Sequence, residues 1–176
     1  MGYRYRLLPS PTQEQVLRQH CAHARFVWNL AVEQHSWWRP GRTSTPGWAE
    51  QCRQLSGARA EHKWLAAGSV TVQQQALRDF AQAVSNYFGG THRKPTWRKA
   101  GQHEGFRIVG IRPGHLRRLS RKTGQVYVPK VGWVRFRWSR PVPQDVKSFR
   151  VKMDRSGRWH VAFAAIPDPI SGPGTG

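Results

Sequence analysis

The chain has 176 residues, of which 29 are Lys or Arg and 9 are Asp or Glu, for a formal net charge of +20. Like charge at this density repels itself unless a polyanion neutralises it, so nucleic acid is the expected partner, although charge alone leaves ribosomal, chromatin and membrane-surface proteins open. No apolar run approaches the ~20 residues that span a bilayer, and Cys21 and Cys52, with no C-x-x-C, are expected to be reduced thiols of a cytoplasmic protein.

Tyr3, Tyr5 and Leu7 alternate with Arg4 and Arg6, the period of a strand with one apolar and one basic face. Pro9 ends it. Ser10-Pro11-Thr12-Gln13 then opens a helix: Ser as cap, Pro at the first helical position and Gln three residues on to close a capping box. Leu17, Cys21, Ala24, Trp28 and Ala31 recur every three or four residues, which predicts one buried stripe on a helix over 11–37. Pro40-Gly41 and Pro46-Gly47 mark turns, and Thr45-Pro46 can cap a second helix with Trp48, Cys52 and Leu55 on one side. Gly68-Ser69 opens a third, with Val72, Ala76, Leu77, Phe80, Val84, Tyr87 and Phe88 as its apolar positions and Gly89-Gly90 as its stop. Gln74, Gln75, Arg78, Gln82 and Asn86 fall on its outward side.

From Gly105 the pattern changes to six short strands, over 105–110, 115–120, 125–130, 133–138, 146–153 and 158–166, separated by Gly-containing turns. Val134, Phe136 and Trp138 alternate with Trp133, Arg135 and Arg137, and Trp159, Val161, Phe163 and Ala165 alternate with Arg158 and His160. Asp154-Arg155-Ser156-Gly157 reads as a hairpin loop. The fold class is therefore α+β. A small antiparallel barrel of six or seven strands, OB-like, would carry a helical bundle inserted after its first strand. The division is 1–9 first strand, 10–90 helical lobe, 91–104 basic connector, 105–166 barrel and 167–176 a Pro/Gly tail expected to be disordered. Nineteen of the 29 cations lie between Thr91 and His160, against only Glu104, Asp145 and Asp154.

Several phrases, taken together and in order, resemble the TnpB (OrfB) family of insertion-sequence proteins. They are Tyr5-Arg6-Leu7-Leu8-Pro9, Ala24-Arg25-Phe26-Val27-Trp28-Asn29, Gln74-Gln75-Ala76-Leu77, Pro95-Thr96-Trp97-Arg98-Lys99 with Phe106-Arg107, and Val128-Pro129-Lys130-Val131-Gly132-Trp133-Val134. The resemblance implies a WED-type barrel interrupted by a helical recognition lobe, whose first helices are often labelled helix-turn-helix. It also implies a transposition-associated function: binding a guide RNA, reading a short motif in duplex DNA, and cutting with a RuvC-type nuclease. By position Gln74 matches a motif-reading residue, although an exposed helix Gln with no role fits it equally well.

The candidate nucleic-acid-binding residues are Arg4, Arg6, Arg25, Gln74, Arg78, Arg93, Lys94, Arg98, Lys99, Arg107, Arg117, Arg118, Arg121, Lys122, Lys130, Arg135, Arg137, Arg150 and Lys152. The family continues past the position of Ile166 into a strand of the form G-[IV]-D-x-G and later a zinc ribbon. Here the sequence runs through Pro167–Gly176 and Asp168 stands between two prolines. The expectation is a chain truncated before the nuclease, with no catalytic residue, metal or cofactor, that does not cut DNA by itself; a separately encoded RuvC-containing half is a candidate partner. His20 and His23, three apart on the first helix, are expected to be polar-face side chains rather than metal ligands. A stand-alone RNA- or DNA-binding barrel, of the RNA-chaperone or ribosome-associated kind, is the alternative.

Overall fold

The structure, a computed structural model, describes residues 3–36 and 47–165. The turn region 40–46, the Thr45-Pro46 cap, the last residue of the first predicted helix, Ile166 and the 167–176 tail lie outside the described residues. Strand β1 (Arg4–Leu8) leads into helix α1 (Pro11–Ser36), and α2 (Trp48–Glu61), α3 (Lys63–Ala66) and α4 (Val70–Phe88) follow. Then come β2 (Gly105–Val109), β3 (Leu116–Arg118), β4 (Thr123–Val128), β5 (Gly132–Arg137), β6 (Val146–Met153) and β7 (Trp159–Ala165). No helix among the described residues is long and apolar enough to cross a membrane.

The predicted capping box forms: the Gln13 N–H donates to Ser10 Oγ at 3.2 Å, and the Ser10 N–H to Gln13 Oε1 at 3.0 Å. All five residues of the α1 stripe are buried. Helix α4 starts at a Ser69 cap as expected and buries Val72, Ala76, Leu77 and Phe80. Its last turn departs from the expected stripe. Tyr87 and Phe88 stay exposed, although His35 of α1 lies beside the Phe88 ring at 6.2 Å.

The seven strands form one antiparallel sheet, curled into a half-barrel, in the order β2-β6-β7-β1-β5-β4-β3. Strand β1 joins the two halves of the sheet. Its Tyr5 pairs with Val161 of β7, and its Leu7 pairs with Phe136 of β5. The strict alternation read from the sequence places Tyr5, Leu7, Val134, Phe136, Val161 and Phe163 in the interior. The Tyr5, Phe136 and Phe163 rings meet pairwise at 5.3–5.7 Å. Gly124 is buried opposite Phe136, and a Cβ there would lie 2.6 Å from both the Phe136 and Trp138 rings. Only glycine lets that stacked pair lie against the strand.

No pairing joins β2 to β3 among the described residues, and α1 reaches from β2 to the β4–β5 turn. His20 packs edge-on against Phe106 of β2, with ring centroids 5.2 Å apart. On the other side its Nε2 lies 2.8 Å from the carbonyl of Pro129, in the β4–β5 turn. A carbonyl only accepts, so Nε2 carries the proton. Near the start of the helix, Gln13 Nε2 donates to the Trp133 carbonyl at 2.7 Å. His20 and His23 are thus not polar-face side chains, as their sequence positions suggest; both are buried. They face the sheet and the α3 turn because the stripe of α1 is wider than its purely apolar residues. Contact around His23 is tight: a Cβ on Gly68 would come within 2.1 Å of His23 Nδ1.

The short helix α3 has no sequence signal of its own. It is held by Arg59, which donates to the carbonyls of Leu65, Ala66 and Gly68 at 3.1–3.2 Å and to Gln73 Oε1 at 2.7 Å. Gln73, fully buried, returns a bond to the Leu65 carbonyl at 2.9 Å. These orphan carbonyls at a helix end are therefore satisfied by side chains.

Burial lowers the pKa of both His20 and His23, and neighbouring positive groups add to the effect. Neither ring nitrogen of His23, nor Nδ1 of His20, has a hydrogen-bond partner among the described residues. Their folded pKa values thus lie below the unfolded value of about 6.5. The stability that their neutral forms support is complete above that value and is lost as pH falls through it. Denaturant melts between pH 8 and pH 5.5 should show stability declining on the acid side by up to about 1.4 kcal/mol per pH unit for each histidine. In His20→Gln the slope should flatten.

Phe136→Ala empties the centre of the half-barrel and should cost about 3–5 kcal/mol, read as a lower Tm.

Candidate nucleic-acid interface

Residues that pair across an antiparallel ladder share a face, so register arranges the outward cations in rows. Arg107, Arg150, Ala162 and Arg4 form one row across four strands. Lys152, His160 and Arg6 form the next. Leu8, Arg135, Gln125 and Arg117 make a third on the other half of the sheet. Arg137 faces the same way, opposite Thr123. Arg135 and Arg137 are exposed while Val134 and Phe136 are buried, as the alternation predicts. Between Glu104 and Asp145 the sequence holds ten Arg or Lys and no acidic residue.

Some of the candidate cations are tied down inside the protein. Arg150 makes a two-point contact with Asp79 of α4, at 3.0 and 3.2 Å, and Arg107 lies 3.7 Å from the same carboxylate. One acid thus docks α4 on the β2–β6 pair. Arg25 of α1 is ion-paired with Glu104 just before β2, and Glu104 also accepts the Gly101 N–H at 2.9 Å. The Arg98 guanidinium lies 3.8 Å from the centre of the Trp28 ring, a cation–π contact that stabilises it out of water. Burial lowers its pKa.

The backbone around Arg98 is clamped to α1. Trp28 Nε1 donates to the Thr96 carbonyl at 2.8 Å, and the Asn29 amide exchanges two bonds with the Arg98 backbone at 2.8 and 3.1 Å. The Trp-Asn pair at 28–29 thereby lays the segment between α4 and β2 along the helix. Arg93, Lys94 and Lys99 remain exposed on that segment.

Other candidates are exposed yet oriented. Arg117 lies 3.9 Å from the centre of the Trp133 ring and its Nε donates to Gln125 Oε1 at 3.0 Å. Arg118 lies over Trp138 at 4.8 Å and donates to the carbonyls of Ser120 and Arg121. With Arg121, Lys122, Ser139 and Arg140 it lines an open concavity of about 450 Å³ containing no acid. Arg140, stacked on Tyr3 at 4.7 Å, escapes sequence reasoning because it falls in a loop with no periodicity. Lys130 donates to the Ala67 carbonyl at 3.0 Å and is held at a positive φ of 63°.

Gln74 and Arg78 belong to a different surface, the α2–α4 edge. Gln74 is half-buried, its backbone carbonyl accepts from Trp48 Nε1 at 3.5 Å, and Arg78 lies 5.0 Å from the centre of the Trp48 ring.

The remaining chemistry-bearing residues are structural. Cys21 and Cys52 are free thiols, and burial pushes the Cys21 pKa far up. Ser156 and His160 side chains and the Arg158 N–H all donate to Asp154, holding it well below the usual carboxylate range within its turn. Among the described residues no three His, Cys, Asp or Glu side chains converge as a metal site.

The sequence that builds this face is similar to sequences of known proteins. Residues 1–42 match a family model described as a helix-turn-helix domain, that of the OrfB proteins. Over 169 residues the chain is 28% identical to InsQ of Escherichia coli K12, whose name marks it as a candidate RNA-guided DNA endonuclease; the match covers 92% of this chain and 39% of that protein. A Streptomyces pristinaespiralis protein of the same designation is 28% identical over 187 residues, covering 99% of this chain and 43% of its own length. The chain spans about two fifths of the length of these curated relatives. These similarities agree with the ordered phrases that resemble the TnpB (OrfB) proteins of insertion sequences. The described part of the matched segment consists of β1 and the unbroken helix α1; the next described helix, α2, begins beyond it.

Asp79→Ala would leave Arg107 and Arg150 facing each other without their shared carboxylate. Because the three side chains are partly solvated, the expected loss is about 1–3 kcal/mol, read as a lower denaturation midpoint. Raising the salt concentration should recover part of it by screening the two guanidinium groups.

Proposed function

We propose that this chain is a nucleic-acid-binding unit of a TnpB-like, transposition-associated protein, and that it holds nucleic acid on the outer face of its half-barrel. The observation that carries the reading is the set of outward cations without acids: Arg4, Arg6, Arg117, Arg135, Arg137 and Lys152, laid in register on four strands. Guanidinium groups at strand spacing suit a polyphosphate backbone, because each can take two phosphate oxygens at once. The interior is filled by aromatic and branched side chains, so the face is a rigid support for those charges.

By relation to the RNA-guided endonucleases, the ligands proposed are a guide RNA and a duplex DNA carrying a short motif. Gln74 and Arg78, on the separate α2–α4 edge, are the proposed motif readers, and the sheet face and the basic segment 91–104 hold phosphates. Cutting is assigned to a RuvC-type nuclease portion, as the family resemblance implies. Three of the described acids make contacts within the fold: Asp79 and Glu104 hold arginines, and Asp154 shapes a turn. With Mg²⁺ or Mn²⁺ the chain is expected to leave plasmid DNA intact, with or without guide RNA. Metal-dependent nicking by contaminant-free protein would overturn that assignment.

The binding test is a salt titration with fluorescently labelled duplex DNA and structured RNA. Affinity should fall steeply, with log K declining by about 0.9 per phosphate contacted for each tenfold rise in salt on B-DNA. Arg135→Ala with Arg137→Ala should reduce that slope by about two contacts and leave Tm nearly unchanged. A flat salt profile for the unaltered chain would sink the reading.

A further inference from the structure

We propose that the outer face of β4 and β5 is a stacking platform for unpaired bases of the bound strand. The inference rests on the nucleic-acid reading above and adds which form of nucleic acid this face selects. Tyr127 of β4 stands opposite Trp133 of β5 in the ladder. Both point away from the interior, where Val126, Val128 and Val134 are buried. Tyr127 is 36% exposed, a large ring that the fold leaves partly open to solvent.

The rings form a connected row. Tyr127 and Trp133 centroids are 5.7 Å apart, and His115, at the end of the 3-10 turn Pro113–His115, lies 5.3 Å from Tyr127 at an interplanar angle of 32°. Beside this row runs the third row of the sheet, in which Gln125 stands between Arg117 and Arg135. Arg117 links the two rows: its guanidinium lies on the Trp133 face and its Nε is fixed by Gln125. No carboxylate occurs anywhere on β3, β4 or β5.

A strip of aromatic faces beside a strip of guanidinium groups matches a single strand, which offers base faces on one side and phosphates on the other. In a duplex those faces are already stacked on one another, so only loops, bulges and overhangs can use the rings. An apolar peptide could cover Tyr127 but would leave the flanking arginines without anions. Charge complementarity therefore favours a nucleic-acid occupant.

The test uses the whole chain and two hairpins with equal numbers of phosphates. One carries an unpaired run of pyrimidines, and the other has abasic sites in that run. Both are made as RNA and as DNA to show which sugar the face accepts. The chain should bind the base-bearing hairpin at least about 10-fold more tightly, as expected for one or more stacked bases.

Tyr127→Thr, which keeps a strand-forming residue at an exposed site, should abolish that preference without changing the salt slope. Tyr127→Phe should retain it, since the ring alone carries the effect. Equal affinity for the two hairpins while binding stays salt-dependent would overturn the platform and leave the phosphate-binding face standing. So would a Tyr127→Thr chain that keeps the preference. Failure to bind either hairpin at any salt concentration would overturn both readings.

Discussion

The curled sheet leaves β2 and β3 unpaired with each other, and α1 is what ties β2 to the far half of the sheet. A curled sheet with two free edges exposes backbone donors and acceptors and the mouth of its apolar interior. Here one helix face meets both sides, with His20 touching Phe106 on one edge and the Pro129 carbonyl beyond the other, and Gln13 bonding to β5. The remaining architecture hangs from this strut. Asn29 and Trp28, further along the same helix, direct the segment that leads into β2, and Arg25 holds Glu104 at its entrance. The phrase Ala24–Asn29, which first suggests the family, is therefore a set of structural attachments between helix and sheet.

Electrostatics divides the cations into two populations. With 9 acids for 29 bases, most cations have no carboxylate to pair with; Glu14 and Glu50 pair within their own helices, and the pairs between elements are placed where those elements dock. Asp79 takes two arginines from adjacent strands, and Glu104 takes one from α1. Aromatic rings stand in for missing acids elsewhere: Trp28, Trp133, Trp138, Trp48 and Tyr3 each lie beneath a guanidinium. Such contacts orient a side chain while leaving its charge uncancelled, so its field remains available to an external anion.

Much of the fold was legible because it depends on short-range periodicity. The two-residue alternation of β1, β5 and β7, the three-four spacing of α1, and the Ser10–Gln13 cap need no distant partner to be recognised. What escaped reading depends on contacts between residues far apart in sequence. Arg25 and Glu104, or Arg150 and Asp79, cannot be told from free surface cations until helix and strand meet. His20 and His23 appear polar on a helical wheel and turn out buried because two separate elements cover them. Arg59 reads as one more helix cation, yet it organises α3 by bonding carbonyls that no pattern announces. Tyr127 and Trp133, in turn, read as ordinary strand aromatics until register sets them side by side beside Arg117.

The position of β1 bears on how the chain comes to be folded. Strand β1 lies at the middle of the sheet, and its partners β5 and β7 follow it only after all the helices have been made. Helices α1, α2 and α4 can form early, but the two halves of the half-barrel cannot be joined until β7 has left the ribosome. Contacts this distant in sequence make for slow, late closure and leave strand edges open in the meantime. During that interval the nascent chain is a strongly cationic, half-made sheet, and its arginines are its protection. Mutual repulsion keeps unfinished copies from pairing edge to edge, so the charge on the outer face also guards the protein's own assembly.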